Sequence, residues 1–381
     1  MKQTITIILI LSIVTVFSQL KSQELNQDLT DYFTENSKAP EQYILDKFKT
    51  YDVILLGEAH LIRENLIFVQ SLISHLHKNG IYNLGMEFGA NEHQHLMDSL
   101  TTAEDFDDDL AQKMMFDYNV AGGYKEYIDI AKAAWRFNSK LSAGEKSFRV
   151  LNLSYVYDWE QFNGVRNTET MERVFHRGTP DKFRAEVIEE EVLRDDEKVL
   201  ALVGTPHAYT KYGSPYFLFN ADNFCGYDYN WLGNRLYLKY PDKVYNIILH
   251  QPFRKKTDGE YILISPLDGA IERLMDLNDN QPAGFDLIGS PVGKLRDQSI
   301  HSLCYEDFRI EQLFDGYIFL EALSDLEGCT PVDGFVNESN IDQALKQFPD
   351  PDWHPEISNL PEMIEFIKSN PQKITAEYSG F

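Results

Sequence analysis

The chain has 381 residues, 43% of them hydrophobic, which is enough for one large α/β domain or two smaller ones. Its 60 Asp and Glu outnumber its 35 Lys and Arg, for a formal charge of −25. That balance argues against nucleic acid and anionic membrane surfaces as partners, since both need a basic patch, and reads as an acidic, solvated surface.

Lys2 precedes an apolar run, Ile5 to Phe17, broken only by Ser12 and Thr15. Small residues follow at Ser18 and Ser22, each before a Gln. This is the pattern of a secretory signal peptide over residues 1–22, so the mature chain is expected in the periplasm or outside the cell. The run is too short to span a bilayer well. No Cys stands near the cleavage point to carry a lipid anchor, and no later stretch predicts membrane insertion once the signal is removed. The three cysteines, Cys225, Cys304 and Cys329, allow one disulfide and leave one thiol; their wide spacing fits no zinc pattern.

Residues 24–50 are mixed polar and end in a short predicted helix, Pro40 to Phe48. Val53 to Leu56 then reads as a buried strand that stops at Gly57 and presents Glu58 and His60 just past its end. Leu66, Val69, Ile73 and Leu76 follow at helical spacing, and Gly80 closes that helix. A second apolar strand, Ile81 to Met86, delivers Glu87. One βαβ unit is therefore expected to set Glu58, His60 and Glu87 at the carboxyl ends of two adjacent parallel strands, the edge where open α/β sheets bind ligands.

After Glu87, Asn91 is a plausible N-cap for a helix through Leu100, with His93 and His95 on its solvated side. The acidic run 104–109 lacks the Gly a calcium loop requires at its sixth position. Residues 110–138 read as a helical pair broken at Gly122-Gly123, inserted over the sheet edge. Phe148 to Leu153 is the next predicted strand, and Asn152 and Asp158 suit either the cleft or a turn. Residues 167–195 are charged and helical and read as a solvated face.

Lys198 to Val203 is a third short apolar run, ending in Gly204-Thr-Pro-His207. Eleven aromatics follow between Tyr209 and Tyr240, a composition that serves either a core or a cleft gripping a sugar or large apolar ligand. Val244 to Leu249 and Tyr261 to Ile264 are further predicted strands, the first ending in His250. Residues 276–305 are rich in Gly, Pro, Asp and Asn and read as a long loop, such as a lid. Phe314 to Leu320 is the last strand, and the tail carries two helices, about 338–347 and 360–369. With no repeat and no low-complexity linker, residues 23–381 read as a single domain with a helical tail from about residue 336.

Gly57-Glu58-Ala59-His60, Gly85-Met86-Glu87-Phe88 and Gly204-Thr205-Pro206-His207, in that order and at strand ends, resemble the erythromycin esterase / ChaN-like / Tiki superfamily. Asp315 to Leu320 looks like the closing strand of such domains, so the resemblance spans roughly residues 45–335. It implies an EreA/ChaN-like α/β fold: a mainly parallel sheet with helices on both faces and helical insertions around a cleft. It implies no single activity, since the superfamily includes metal-free macrolide esterases, a haem-binding iron-uptake protein and metal-dependent proteases.

The residues themselves allow the same breadth. A neutral His60 accepts a proton from water while Glu58 and Glu87 orient it and stabilise the imidazolium. His207 then polarises the carbonyl or assists the leaving group. This is hydrolysis of an ester, lactone or peptide bond in a small-molecule or peptide substrate. His60, His207 and Glu58 equally suit a divalent zinc or manganese ion, and two facing His residues suit haem iron. Arg63, His250 and Tyr209 are the candidate substrate contacts. No Gly-x-Ser-x-Gly elbow, His-Glu-x-x-His or phosphate loop is present, which removes the common serine hydrolase, zincin and P-loop classes.

Overall fold

The computed structural model describes residues 25–381. The proposed signal segment and its cleavage points lie outside the described residues. Two short helices, α1 (Gln27–Asn36) and α2 (Pro40–Lys47), lead into β1 (Val53–Glu58). Helix α3 (Arg63–Lys78) carries the chain to β2 (Asn83–Ala90). Leu66, Val69, Ile73 and Leu76 are all buried, and Gly80 has φ +79°, the left-handed turn expected after the helix.

Beyond β2 a single 3-10 turn at Asn91–His93 precedes α4 (Gln94–Leu100). Asn91 therefore does not cap the α-helix; its amide donates to the Asn152 carbonyl instead. Helices α5 (Asp108–Tyr118) and α6 (Lys125–Asn138) flank the Gly122-Gly123 break as expected. Next come β3 (Arg149–Ser154), α7 (Thr168–Val174), α8 (Pro180–Glu191) and β4 (Val199–Gly204). A hairpin of β5 (Ser214–Phe217) and β6 (Cys225–Asp228) precedes α9 (Leu232–Lys239) and β7 (Val244–Leu249). Strands β8 (Phe253–Thr257) and β9 (Glu260–Ile264) pair only with each other.

The stretch read as a long loop is partly ordered. After α10 (Ala270–Asp276), residues Ala283–Asp286 form β10, which runs antiparallel to β11 (Gly316–Phe319) at the sheet edge. Four residues starting Ala-Gly carry too little apolar pattern to stand out in sequence; the β11 edge orders them by pairing. Helices α11 (Ile341–Lys346) and α12 (Leu360–Tyr378) close the chain, the second longer than expected because it continues through Pro371.

Seven strands form one sheet in the order β10-β11-β7-β1-β4-β2-β3, all parallel except β10. Every residue of β1, β4 and β7 is buried, as central parallel strands covered on both faces require. One core packs α3, α5, α6 and α12 on one face; a second packs α1, α8, α9 and α10 on the other. This is the α/β architecture expected, with a mainly parallel sheet and helices on both faces.

One topological expectation is corrected. β1 and β2 are not neighbours: β4 lies between them and pairs with both. The crossover from β1 skips a position that β4 fills later in the chain. The Glu58, Glu87 and His207 strand ends are thereby three consecutive teeth of the sheet, with the His207 turn in the middle. Cys225 and Cys304 form the disulfide and Cys329 is the buried free thiol, in line with one pair and one thiol left over. Among the described residues no helix is long and apolar enough to cross a membrane.

Candidate functional site

At the carboxyl edge the side chains alternate carboxylate and imidazole. Glu58 Oε1 lies 3.0 Å from His60 Nδ1. His60 Nε2 lies 3.8 Å from Glu87 Oε2. Glu87 Oε1 lies 3.3 Å from His207 Nε2, and His207 Nδ1 lies 2.6 Å from Asp181 Oδ1. The four residues that the sequence marked as catalytic, Glu58, His60, Glu87 and His207, thus form one continuous chain. Asp181, at the start of α8, is its fifth member.

Each link is fixed from behind. The Tyr127 hydroxyl on α6 donates to Glu58 Oε1 at 2.8 Å and accepts the Leu61 N–H at 3.2 Å. Leu61 sits at φ +69°, a left-handed conformation costing a non-glycine residue about 1–2 kcal/mol. The Cys329 N–H also bonds the Leu61 carbonyl at 2.9 Å, so both of its backbone groups hold the turn that aims His60. The Gly204 N–H donates to Glu87 Oε2 at 2.7 Å. Thr205 Oγ1 donates to the Glu58 carbonyl at 3.0 Å and accepts from Gln251 at 2.6 Å. The Leu232 N–H donates to Asp181 at 3.0 Å.

The cation that balances Glu87 is Arg184, buried on α8. Its guanidinium contacts Glu87 Oε1 at 2.9 Å, the Ser154 hydroxyl at 3.0 Å and Asp181 at 3.6 Å. Burial works against ionisation of Glu87, yet Arg184 and His207 outweigh it and hold the carboxyl well below its usual range. Burial also opposes the charged form of His207, but Glu87 and the Asp181 hydrogen bond prevail over it and over Arg184, lifting the imidazole to about 9. His60 is desolvated too; the Glu58 hydrogen bond and the Glu87 charge still raise it above the ordinary histidine value. One edge of the His60 ring remains open, its side chain 36% exposed.

Asp181, Arg184 and Tyr127 were not marked by the sequence. Residues 167–195 read as a solvated helix, but Phe183, Arg184, Ala185, Val187 and Ile188 of α8 are buried. An Arg inside that apolar stripe, with an Asp three residues before it, was the available signal.

Two of the three candidate substrate contacts are engaged by other side chains, and the third, Tyr209, lines a neighbouring cavity. Arg63 is turned to Glu64 and Glu327, the alternative of a surface ion pair rather than a clamp. His250 is buried between the Tyr317 hydroxyl, at 2.6 Å, and Glu272, at 2.9 Å. Tyr209 is buried with its hydroxyl 3.3 Å from His301 Nδ1.

A divalent metal or haem does not fit this donor set. Both nitrogens of His207 and the Nδ1 of His60 are engaged, and the guanidinium of Arg184 lies 3.2 Å from His207, where it would repel a metal cation. Among the described residues no group of three or more His, Cys, Asp or Glu is disposed to hold a metal ion. The Nε2 atoms of His60 and His207 both point at one carboxylate, not into a slot that would take a flat macrocycle.

Gly204 leaves the space that the His60 ring occupies. Its φ is an ordinary −56°, but a Cβ there would stand 2.7 Å from His60 Nε2. Gly204→Ala is expected to fold and to displace the His60 ring. Turnover should fall at least about tenfold, as misplacement of a catalytic group implies, while the thermal midpoint moves little. Wild-type turnover in this variant would show that the ring position does not matter.

No family model matches the chain, and no curated protein matches it. Solved structures are similar to it. A variant of the erythromycin esterase EreC in its open conformation is 11% identical, with 79% of this chain and 95% of that chain covered and a TM-score of 0.49. A Bacillus cereus protein is 12% identical, covering 80% and 98%, with a TM-score of 0.47. ChaN of Campylobacter jejuni, described with cofacial haem, is 16% identical over 62% and 95%, with a TM-score of 0.37.

Proposed function

We propose that the protein is an exported, metal-independent hydrolase that cleaves an ester or lactone, with His60 as general base. The observation that carries this reading is His60 Nε2. Nδ1 of His60 is held by Glu58 and both nitrogens of His207 are engaged, whereas His60 Nε2 makes no hydrogen bond and lies 3.8 Å from Glu87, on a ring whose side chain is partly exposed. With Nδ1–H donated to Glu58, Nε2 carries the free lone pair of the neutral tautomer.

In the reaction, Nε2 takes a proton from water as the water oxygen bonds to the substrate carbonyl carbon. Glu58 stabilises the imidazolium so formed. Collapse of the tetrahedral intermediate breaks the bond to the leaving oxygen, which recovers the proton from His60. His207, cationic below about pH 9, supplies positive charge against the negative charge developing on the carbonyl oxygen. Arg184 and Asp181 hold Glu87 and His207 in place and touch no reacting atom. The Cys225–Cys304 disulfide supports the export part of this reading, since disulfides persist in oxidising compartments.

The pH profile tests the assignment. His60 must be neutral to accept a proton, so kcat/KM should rise with pH through a value above the ordinary histidine range. His207 must stay charged, so the rate should fall again near pH 9. Asp181→Asn removes the carboxylate whose charge-assisted hydrogen bond raises His207 and should move the alkaline limb to lower pH. An alkaline limb that stays in place would rule out His207 as its source.

A further inference from the structure

Past His207 the chain builds a second concavity. Tyr209, Tyr212, Ser214, Trp231, Arg254 and Tyr261 are among the residues around a cavity of about 370 Å³. Its walls are fixed. Tyr209 and Tyr212 are buried and meet edge to face at 4.8 Å, and Tyr305 stacks on Tyr212 at 5.5 Å. The Trp231 indole N–H donates to Ser214 Oγ at 2.9 Å. The Cys225–Cys304 disulfide ties the β5–β6 hairpin to the segment carrying His301 and Tyr305. The Tyr227 hydroxyl adds a bond to the Cys304 carbonyl at 2.6 Å.

The cavity is continuous with the proton-transfer chain. Trp231 lies edge-on to the His207 ring at 5.3 Å, and Pro206, the residue before His207, lines the cavity. Burial pushes His301 down to about 4, so it is a neutral wall at physiological pH. The charge in the cavity is Arg254 on β8. Arg63, Arg149, Arg166, Arg177 and Arg184 each hold a carboxylate. Arg254 forms no ion pair among the described residues, in a chain of net charge −25. A guanidinium without an ion-pair partner that lines the same cavity as aromatic rings is the arrangement that selects a planar apolar group bearing an anion.

We infer that this cavity is the subsite for the non-reacting part of the substrate, and that it takes an aromatic ring carrying a carboxylate. The ring lies against Trp231 and the tyrosines, and the carboxylate pairs with Arg254. Calling the bound group part of a substrate rests on the hydrolase reading; the binding itself does not.

The test is calorimetric titration of the full mature chain with 2-naphthoate and with neutral 2-naphthalenemethanol. The carboxylate should bind at one saturable site, about tenfold or more tighter than the alcohol, as a charge-assisted hydrogen bond provides. Arg254→Gln should abolish that preference, and Trp231→Ala should weaken both ligands. No saturable binding of naphthoate, or an unchanged preference in Arg254→Gln, overturns the inference. Where turnover is measurable, naphthoate should inhibit it competitively. Naphthoate binding to a wild-type chain that hydrolyses no ester or lactone would remove the hydrolase reading and leave the subsite standing.

Discussion

Arg184→Met is expected to lower the free energy of unfolding by about 3–5 kcal/mol, the cost of leaving a buried charge without its partner. Methionine keeps much of the side-chain volume, so the loss reports charge more than packing. The stranded group is Glu87, buried and otherwise bonded by the Gly204 N–H and flanked by His207. The ionised Glu87 stabilises the native state above its unfolded pKa, near 4.5, and that contribution disappears as pH falls through its depressed folded value. The gap between wild type and variant should therefore narrow toward acid. Arg184→Met/Glu87→Gln should recover part of the loss at neutral pH, because the uncompensated charge is gone. Chemical denaturation of the wild type, Arg184→Met, Glu87→Gln and the double variant checks this, and strictly additive losses would show that the two side chains are not coupled.

His60→Ala is expected to reduce turnover by about 10²–10⁴-fold, the range for loss of a positioned general base. The ring is half-buried and its removal leaves no large void, so the thermal midpoint should stay within a few degrees. Steady-state kinetics beside a melting curve separate the two effects. A variant that folds and turns over like wild type would end the assignment of His60. One that is inactive because it has unfolded is recognised by the melt, and His60→Gln, closer in size, then provides the test. Glu58→Gln should lower turnover less. It leaves Tyr127 a partner for its hydroxyl and removes only the charge that stabilises the His60 imidazolium.

The Gly204 turn connects these two results. Its N–H holds Glu87, and its missing side chain leaves room for the His60 ring. The same backbone position therefore orders both halves of the carboxylate–imidazole chain, the half fixed by Arg184 and the half that ends at His60.

Much of this was legible in the residues. The all-apolar runs at 53–56 and 199–203 are short, end in glycine turns and are fully buried, as strands covered on both faces require. The helical spacing of Leu66, Val69, Ile73 and Leu76 fixes α3. Two Gly-terminated strands followed by Glu58, His60 and His207, and a strand that delivers Glu87, place these groups at the carboxyl edge of the sheet. Local pattern suffices for these because burial and periodicity are properties of a few neighbouring residues.

Only the tertiary structure decided the rest. The insertion of β4 between β1 and β2 depends on which strands pair, and strand pairing across more than a hundred residues leaves no local signature. Asp181, Arg184 and Tyr127 join the site because helices α8 and α6 dock their inner faces over the strand ends. A charged residue on a helix reads as solvated until its neighbour is known. Arg63 and His250 went the other way, since carboxylates distant in sequence, Glu327 for Arg63 and Glu272 for His250, reach them in the fold. By itself the sequence determined the central strands, the turns that end them and the types of group they carry. Which of those groups face one another was decided by long-range packing, where the energy of a buried charge depends on partners brought together only by folding.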